Sequence, residues 1–543
     1  MCNDKVEKLL YRFHIDSERQ VIDRIKKQHP VWAENDGICG RCVDYYHTEI
    51  IMEQRILPEI GPFFPIKSAD DFVILPTGLR LDADPRYTGK GVVICFIDSG
   101  FYPHPDLIMH RNRIRAYVDV NDSSANLNTW MASKKVSNDA WHGTMTTVVG
   151  TGDGYLSNGL YKGIACNAEL VLIKVQNKEG KITRENIVKA LQWVLNNHEA
   201  YGIKIVNMSL GDDRECSYKE SEIDTLAETL VGLGLNIVAA VGNDEHGQVK
   251  PPANSPHVIA VGGIDDNNQL SDAWQSYHST YGTTVDMIAK PELVAHAIWI
   301  AAPILPGTEE EKEAVTLYSL VQTPNKDLLK KFQDSVHNIK PEASVTNGSD
   351  ITSLKAAILQ RIQQCKYIAP HYMHVDGTSF AAPIVSSVIA QLLEENQELT
   401  PSAIRQVLFS TAKRMDGVAV QQQGFGAVQP RKAILKILKR SFIMKPQESP
   451  SVDKSKRSIE FYVQNDCAQQ ISLAGDFNHW AQDVLLMQPG KNGIWKIEIP
   501  LLPAGKYHYK FFVDDKMWME DIGNPFREPD GFAGFNSILV IEN

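Results

Sequence analysis

From about residue 84 the chain alternates unbroken apolar runs with stretches whose apolar positions recur every three or four residues. "GVVICFID" (91–98) has the pattern of a strand buried on both faces, and it ends in Asp-Ser-Gly. "ELVLIKV" (169–175), "IKIVNMSLG" (203–211), "NIVAAVGN" (236–243) and "HVIAVGGI" (257–264) read as further strands. Between them, "TRENIVKALQWVLNNH" (183–198) and "EIDTLAETLVGLG" (222–234) read as helices, the first capped near Thr183 or Arg184. Strands alternating with helices predict an α/β fold, a parallel sheet flanked by helices on both faces. Ligand sites in such sheets lie at the strands' carboxyl ends, where Asp98, Leu210 and Asn243 fall.

The pattern changes elsewhere along the chain. Residues 1–83 form an N-terminal region, a candidate regulatory segment, with helical spacing over about 4–12 and 16–28. Residues 306–372 interrupt the α/β pattern with three helical stretches separated by Pro and Gly-Ser signals, and predict an inserted helical subdomain. "SFAAPIVSSVIAQLLEEN" (379–396) is a long apolar helix; another follows Pro401, and "PRKAILKILKR" (430–440) closes the unit, whose bounds are set at 84–443. Residues 444–457 have a linker's Pro, Ser and charge content. Residues 458–543 carry short alternating segments with turn signals between them, the spacing of a small all-β immunoglobulin-like sandwich.

Composition narrows the function classes. Of 543 residues 43% are hydrophobic and 22% charged, which fits a globular protein of several domains. The net charge of -11 argues against nucleic acid or an anionic membrane as the main partner. The longest apolar run, "LVAHAIWIAAPIL" (293–305), is too short to span a bilayer. The first residues lack a secretory h-region, and eight scattered cysteines suit a reducing interior, so the expected location is the cytoplasm.

The chemistry centres on "HVDGTSFAAPIVS" (374–386), where Ser379 stands at the start of an apolar helix whose N–H groups favour negative charge. A serine nucleophile needs a base, an orienting acid and oxyanion donors. "DAWHGT" offers His142, "FIDSG" offers Asp98 and "AAVGND" offers Asn243. Asp98 in D-S-G, His142 in H-G-T and Ser379 in G-T-S-x-A-x-P resemble the three active-site motifs of the subtilisin-like serine peptidases, in that family's order. Further likeness runs through about 84–437. The resemblance implies Ser379 as nucleophile, His142 as general base and acid, Asp98 as its orienting partner, and Asn243 with the Ser379 N–H as oxyanion hole. Ser209-Leu210-Gly211 resembles the edge that pairs with an extended protein or peptide substrate. No cofactor is required for this chemistry; calcium is common in the family, but no site for it maps onto these residues. Three departures bear on substrate access: Met145-Thr146-Thr147 after H-G-T, Phe380 after the serine, and "KPELVAHA" (290–297) ahead of the insertion. An inert scaffold that retains the peptidase fold is the alternative.

Two other regions carry candidate chemistry. "FVILPTG" (72–78) suits either an arm packed on the core or an inhibitory strand across the cleft. Cys39 and Cys42, with His29 and His47 nearby, supply half of a zinc ligand set; two unlinked thiols are the plainer reading. In the β region, "ISLAGDFNHW", "AGKYHYKFFVDDKMW" and "GFAGFNSILVI" resemble the glycogen-binding module of AMP-activated protein kinase β subunits. That resemblance implies glycogen or another α-glucan as ligand, with Trp480 and Trp518 as stacking platforms and Lys510 and Asn536 as polar contacts. Trp495, in the alternating "IWKIEI", is assigned to the core. The same module docking without sugar is the other reading.

Overall fold

The computed structural model describes residues 15–32, 38, 40–54, 74–133, 136–270, 274–340, 350–439, 448–465 and 467–542. Six strands, β1 (Val93–Asp98), β2 (Ile114–Asp119), β3 (Glu169–Lys174), β4 (Ile203–Met208), β5 (Asn236–Ala240) and β6 (Ile259–Asp265), join Leu293–His296 in one sheet. The order is Leu293–His296, β6, β5, β4, β1, β3, β2, and every pair along this path is parallel. Because side chains alternate across a strand, β1 serves two cores at once. Ile94 and Phe96 face a cluster containing the helices Ala140–Thr151 and Thr378–Glu395. Val93, Cys95 and Ile97 face the helices Arg184–Tyr201 and Glu222–Gly232.

The insertion contains the three expected helices, Glu309–Val321, Asn325–Ser335 and Ile351–Gln364, around an apolar core of its own. Thr308 and Asp350 cap the first and last of them. Strands that the helical pattern concealed join its two ends. Ile300–Pro303 pairs antiparallel with Tyr372–Val375, which pairs with Tyr367–Ala369. The apolar run 293–305 is therefore two strands, broken at Trp299 with φ 58°.

The N-terminal helices Ile15–Gln28 and Gly40–Gln54 pack through Val21, Ile25, Tyr46 and Ile50. The stretch 4–12 and Cys39 lie outside the described residues; His29 meets the Tyr46 hydroxyl at 3.0 Å. Arg41 donates to the carbonyls of Ile437, Leu438 and Lys439, filling the orphan acceptors at the end of the helix Pro430–Leu438. Arg86 bonds Asp44 and Thr48, while its neighbour Tyr87 reaches Glu395. Glu395 ends the helix that begins beside Ser379, so this anchor is about 24 Å from the serine at 1.5 Å per residue. Phe72 and Val73 lie outside the described residues. Ile74 is buried against Tyr161, Ile368 and Tyr372, the contact of an arm packed on the core.

The C-terminal region is two antiparallel sheets around a shared apolar core. Trp495 is in that core, as expected, and its indole donates to the Asn465 carbonyl. Part of the stretch read as linker belongs to the sandwich: Ser451–Asp453 pairs with Ser458–Gln464. Ser449 is held by Asp521, a carboxyl that burial pushes up to about 6.

The sandwich is fixed to the α/β unit by a buried arginine. Arg527 lies 4.0 Å from the Phe425 ring and 4.6 Å from that of Phe535. It donates to the carbonyls of Ala289 and Pro291. Arg414 reaches back from the α/β unit to Glu520 at 2.7 Å. Arg527→Ala is expected to lower denaturant stability by about 1.5–3 kcal/mol, the range for hydrogen bonds from a charged group. An unchanged unfolding midpoint would show that Arg527 is not the anchor.

Candidate active site

Asp98 ends β1, near the middle of the sheet, and is 1% exposed. A buried carboxylate is costly unless donors surround it. Oδ1 accepts the Ser99 N–H at 2.6 Å and faces His142 Nδ1 at 2.7 Å; Oδ2 accepts the Thr146 hydroxyl at 3.0 Å. An ionised carboxylate only accepts, so Nδ1 carries the imidazole proton and Nε2 is left as the basic nitrogen. The Asp98 charge raises the His142 pKa above the ordinary 6.5, against the opposing effect of burial. The glycine after His142 is required by contact. A Cβ on Gly143 would lie 2.2 Å from the Gly100 carbonyl and 3.0 Å from Asp98 Cβ, so only glycine lets this helix approach β1.

Ser379 is half-buried near the start of the helix Thr378–Glu395, where backbone N–H groups lack intrahelical acceptors. Gly377, with φ 135°, turns the chain into that helix, and its N–H donates to the Ala297 carbonyl at 2.7 Å. Asn243, just past β5, is exposed. Its Oδ1 accepts the Thr378 N–H at 2.8 Å and the Thr378 hydroxyl at 2.9 Å. With the amide oxygen taken, its NH₂ is the end free to donate to a reacting oxygen. Phe380, next to the serine, has its ring 6.2 Å from the imidazole of His142. Two strand ends thus supply a carboxylate and an amide, and two helix starts supply an imidazole and a hydroxyl.

Residues 89–426, more than half of the chain, match the model of the subtilase family. The chain belongs to the subtilase family, the subtilisin-like serine proteases. It is 27% identical over 358 residues to serine protease AprX of Bacillus subtilis (strain 168), covering 64% of this chain and 67% of that protein. It is 31% identical over 204 residues to alkaline elastase YaB of Bacillus sp. (strain YaB), covering 37% of this chain and 46% of that protein. The chain thus spans about two thirds of the first relative and about half of the second. Among solved structures, sphericase is 20% identical with a TM-score of 0.43, over 63% of this chain and 92% of that one. Residues 460–542 of the subtilase match a second model, the glycogen recognition site of AMP-activated protein kinase.

Several contacts of the site were not foreseen from the sequence. Thr146, in the segment that departs from the family pattern, holds the second oxygen of Asp98. Pro383 stands four residues after Ser379, so the N–H that would bond the Ser379 carbonyl does not exist. The Ser209 hydroxyl supplies that hydrogen bond instead, at 2.7 Å. Asn207, fully buried on β4, donates to Ser209 Oγ and accepts from Ser386 on the same helix. The signal was present as a proline one helical turn past the serine. Ser209 is therefore committed to the helix through its side chain. Leu210 packs on the neighbouring core, Gly211 is exposed, and Asp212 donates its N–H to the Pro251 carbonyl.

The subtilase's glycogen-recognition region presents a polar and aromatic outer face. Along Gly505–Val513, Tyr509, Phe511 and Val513 point into the core, which puts Lys510 and Phe512 on the opposite face of the sheet. Phe512 packs against Trp518, whose ring centroid is 5.9 Å from that of Trp480 in an edge-to-face arrangement. Trp480 donates from Nε1 to Asp476 at 3.1 Å. Asn536 lies one step beyond the paired residues Tyr509 and Ser537, across from Lys510. Lys510 is buried and ion-paired with Asp530, so its ammonium is already committed. Phe532, 91% exposed in the following loop, was not foreseen and adds an aromatic to this end of the sandwich.

Ser209→Ala is expected to cost about 1–3 kcal/mol by leaving the Ser379 carbonyl unpaired. Adding Pro383→Ala, which returns the missing N–H, is expected to recover part of it. A double-mutant cycle by denaturant unfolding measures this, and strict additivity would contradict the linkage.

Proposed function

We propose that the protein is a serine endopeptidase acting on protein or peptide substrates through Asp98, His142 and Ser379. The observation that carries this reading is the 2.7 Å contact between the buried Asp98 carboxylate and His142 Nδ1. Nε2 of the oriented imidazole takes the Ser379 proton as the hydroxyl attacks the scissile carbonyl, and later returns it to the leaving amine. Asp98 keeps the tautomer and stabilises the imidazolium. The Asn243 NH₂ and the Ser379 N–H receive the oxyanion. Ser209-Leu210-Gly211 borders the substrate backbone and pairs with it in extended form. These steps use no cofactor.

The sandwich, in this reading, binds glycogen or another α-glucan and localises or regulates the protease. Trp480 and Trp518 stack on the apolar faces of the sugar rings, while Asn536 and the Lys510–Asp530 pair meet hydroxyl groups. We place the protein in the cytoplasm: among the described residues Cys95, Cys166, Cys216, Cys365 and Cys467 form no disulfide, as a reducing compartment favours. Among the described residues no helix is long and apolar enough to cross a membrane. Neither nucleic acid nor membrane is a proposed partner.

Ser379→Ala is expected to abolish peptide hydrolysis and labelling by a fluorophosphonate probe; Asn243→Ala is expected to lower turnover by roughly 10²–10³-fold, the cost of one oxyanion donor in subtilisin. Only neutral His142 accepts the proton, so kcat/KM is expected to fall as pH drops through a midpoint above 6.5. Asp98→Asn is expected to move that midpoint down. A wild-type protein inert to the probe would identify a scaffold instead. In affinity electrophoresis with glycogen, the wild type is expected to be retarded and Trp480→Ala to run freely. Equal mobility of the wild type with and without polysaccharide would remove the glucan from the proposal.

A further inference from the structure

Trp141, the residue immediately before His142, packs against two cores at once. One is the main core beneath the sheet; the other is the insertion's own cluster, which includes Ile304, Leu317 and Tyr318. Met373 does the same from the other side of the seam. Its strand, Tyr372–Val375, runs directly into Asp376, Gly377, Thr378 and Ser379. The partner strand Ile300–Pro303 pairs with it from Ile300 opposite Val375 to Pro303 opposite Tyr372, and also packs on the His142 helix. Tyr372 further donates its hydroxyl to Asp106 at 2.5 Å, which ties this small sheet to the α/β unit.

We infer that the helical insertion sets the spacing of base and nucleophile, with Trp141 as the positioning residue at its seam. This rests on the peptidase reading given above. The physical argument is one of shared support. The His142 helix and the segment leading to Ser379 are distant in sequence, yet both contact one short sheet and one apolar cluster. A strand pair cannot slip by a single residue without turning every side chain over, so the sheet transmits position in fixed register. The indole spans the gap between the two cores, and no small side chain fills that volume. Trp141 touches no reacting atom; it acts through the placement of its neighbour.

Trp141→Ala is expected to lower kcat roughly 10–100-fold, the scale known for misplacements near 1 Å, with KM little changed. The His142 ring is expected to leave Asp98, so the acid midpoint of activity and the His142 titration followed by NMR both move down toward 6.5. Trp141→Phe is expected to restore most of both. Met373→Ala, made on the insertion side, is expected to give the same signature more weakly. Folded fractions are measured by circular dichroism in each case. Wild-type kcat and titration in a folded Trp141→Ala protein would overturn the inference, as would a loss explained entirely by unfolded protein and not relieved by Trp141→Phe. If the wild type hydrolyses no peptide, the peptidase reading fails, while the NMR titration still decides whether Trp141 positions His142.

Discussion

One buried carboxylate imposes the arrangement of the site. Asp98 ends a strand near the middle of the sheet, with neighbours on both sides and cores on both faces, so water cannot solvate it. It must be met by protein donors, and it is: the Ser99 N–H, the His142 ring and the Thr146 hydroxyl. Two of these three come from a single helix, whose approach depends on the bare backbone of Gly143. The need to satisfy a charge and the need to orient a base are therefore met by the same contacts. That economy also explains Thr146, three residues beyond the glycine. A hydrophobic residue there would leave one oxygen of Asp98 unmet.

A second constraint acts on the serine's side. Pro383 breaks the regular ladder of a helix that is buried over most of its length. The carbonyl it orphans belongs to Ser379, and the hydroxyl that satisfies it comes from the end of β4. The helix is thereby pinned to the sheet at the residue where position matters most. Behind that contact, Asn207 and Ser386 extend the network into the core. Buried polar chains of this kind specify a single geometry because each member loses heavily if another moves.

Much of the fold was legible from periodicity. The continuous apolar runs became the parallel sheet, and the three helices of the insertion lie where their spacing put them. The motifs Asp-Ser-Gly and His-Gly-Thr identified two residues that meet at 2.7 Å, and Gly-Thr-Ser lies at the start of a helix. What was not legible depends on distance in the chain. Nothing near Ser209 announces that its hydroxyl answers a proline at position 383. Lys510 reads as a polar contact for sugar because its partner, Asp530, approaches only when two strands and a loop fold together. The stretch 444–457 reads as linker from its composition, yet backbone pairing with the next strand makes Ser451–Asp453 part of the sandwich. Phe532 escaped attention because a single aromatic in a glycine-rich loop has no period.

The arginine that joins the sandwich to the α/β unit changes what the second unit can contribute. A binding module on a long tether raises local concentration over a broad sphere, and its effect varies smoothly with tether length. A module locked by Arg527 between Phe425 and Phe535 has no such sphere. Its aromatic face and the serine's cleft are held at one angle and one separation. Whatever surface the module rests on, the cleft meets only the part of that surface its fixed bearing allows, and a target a short way outside that arc gains nothing from the attachment.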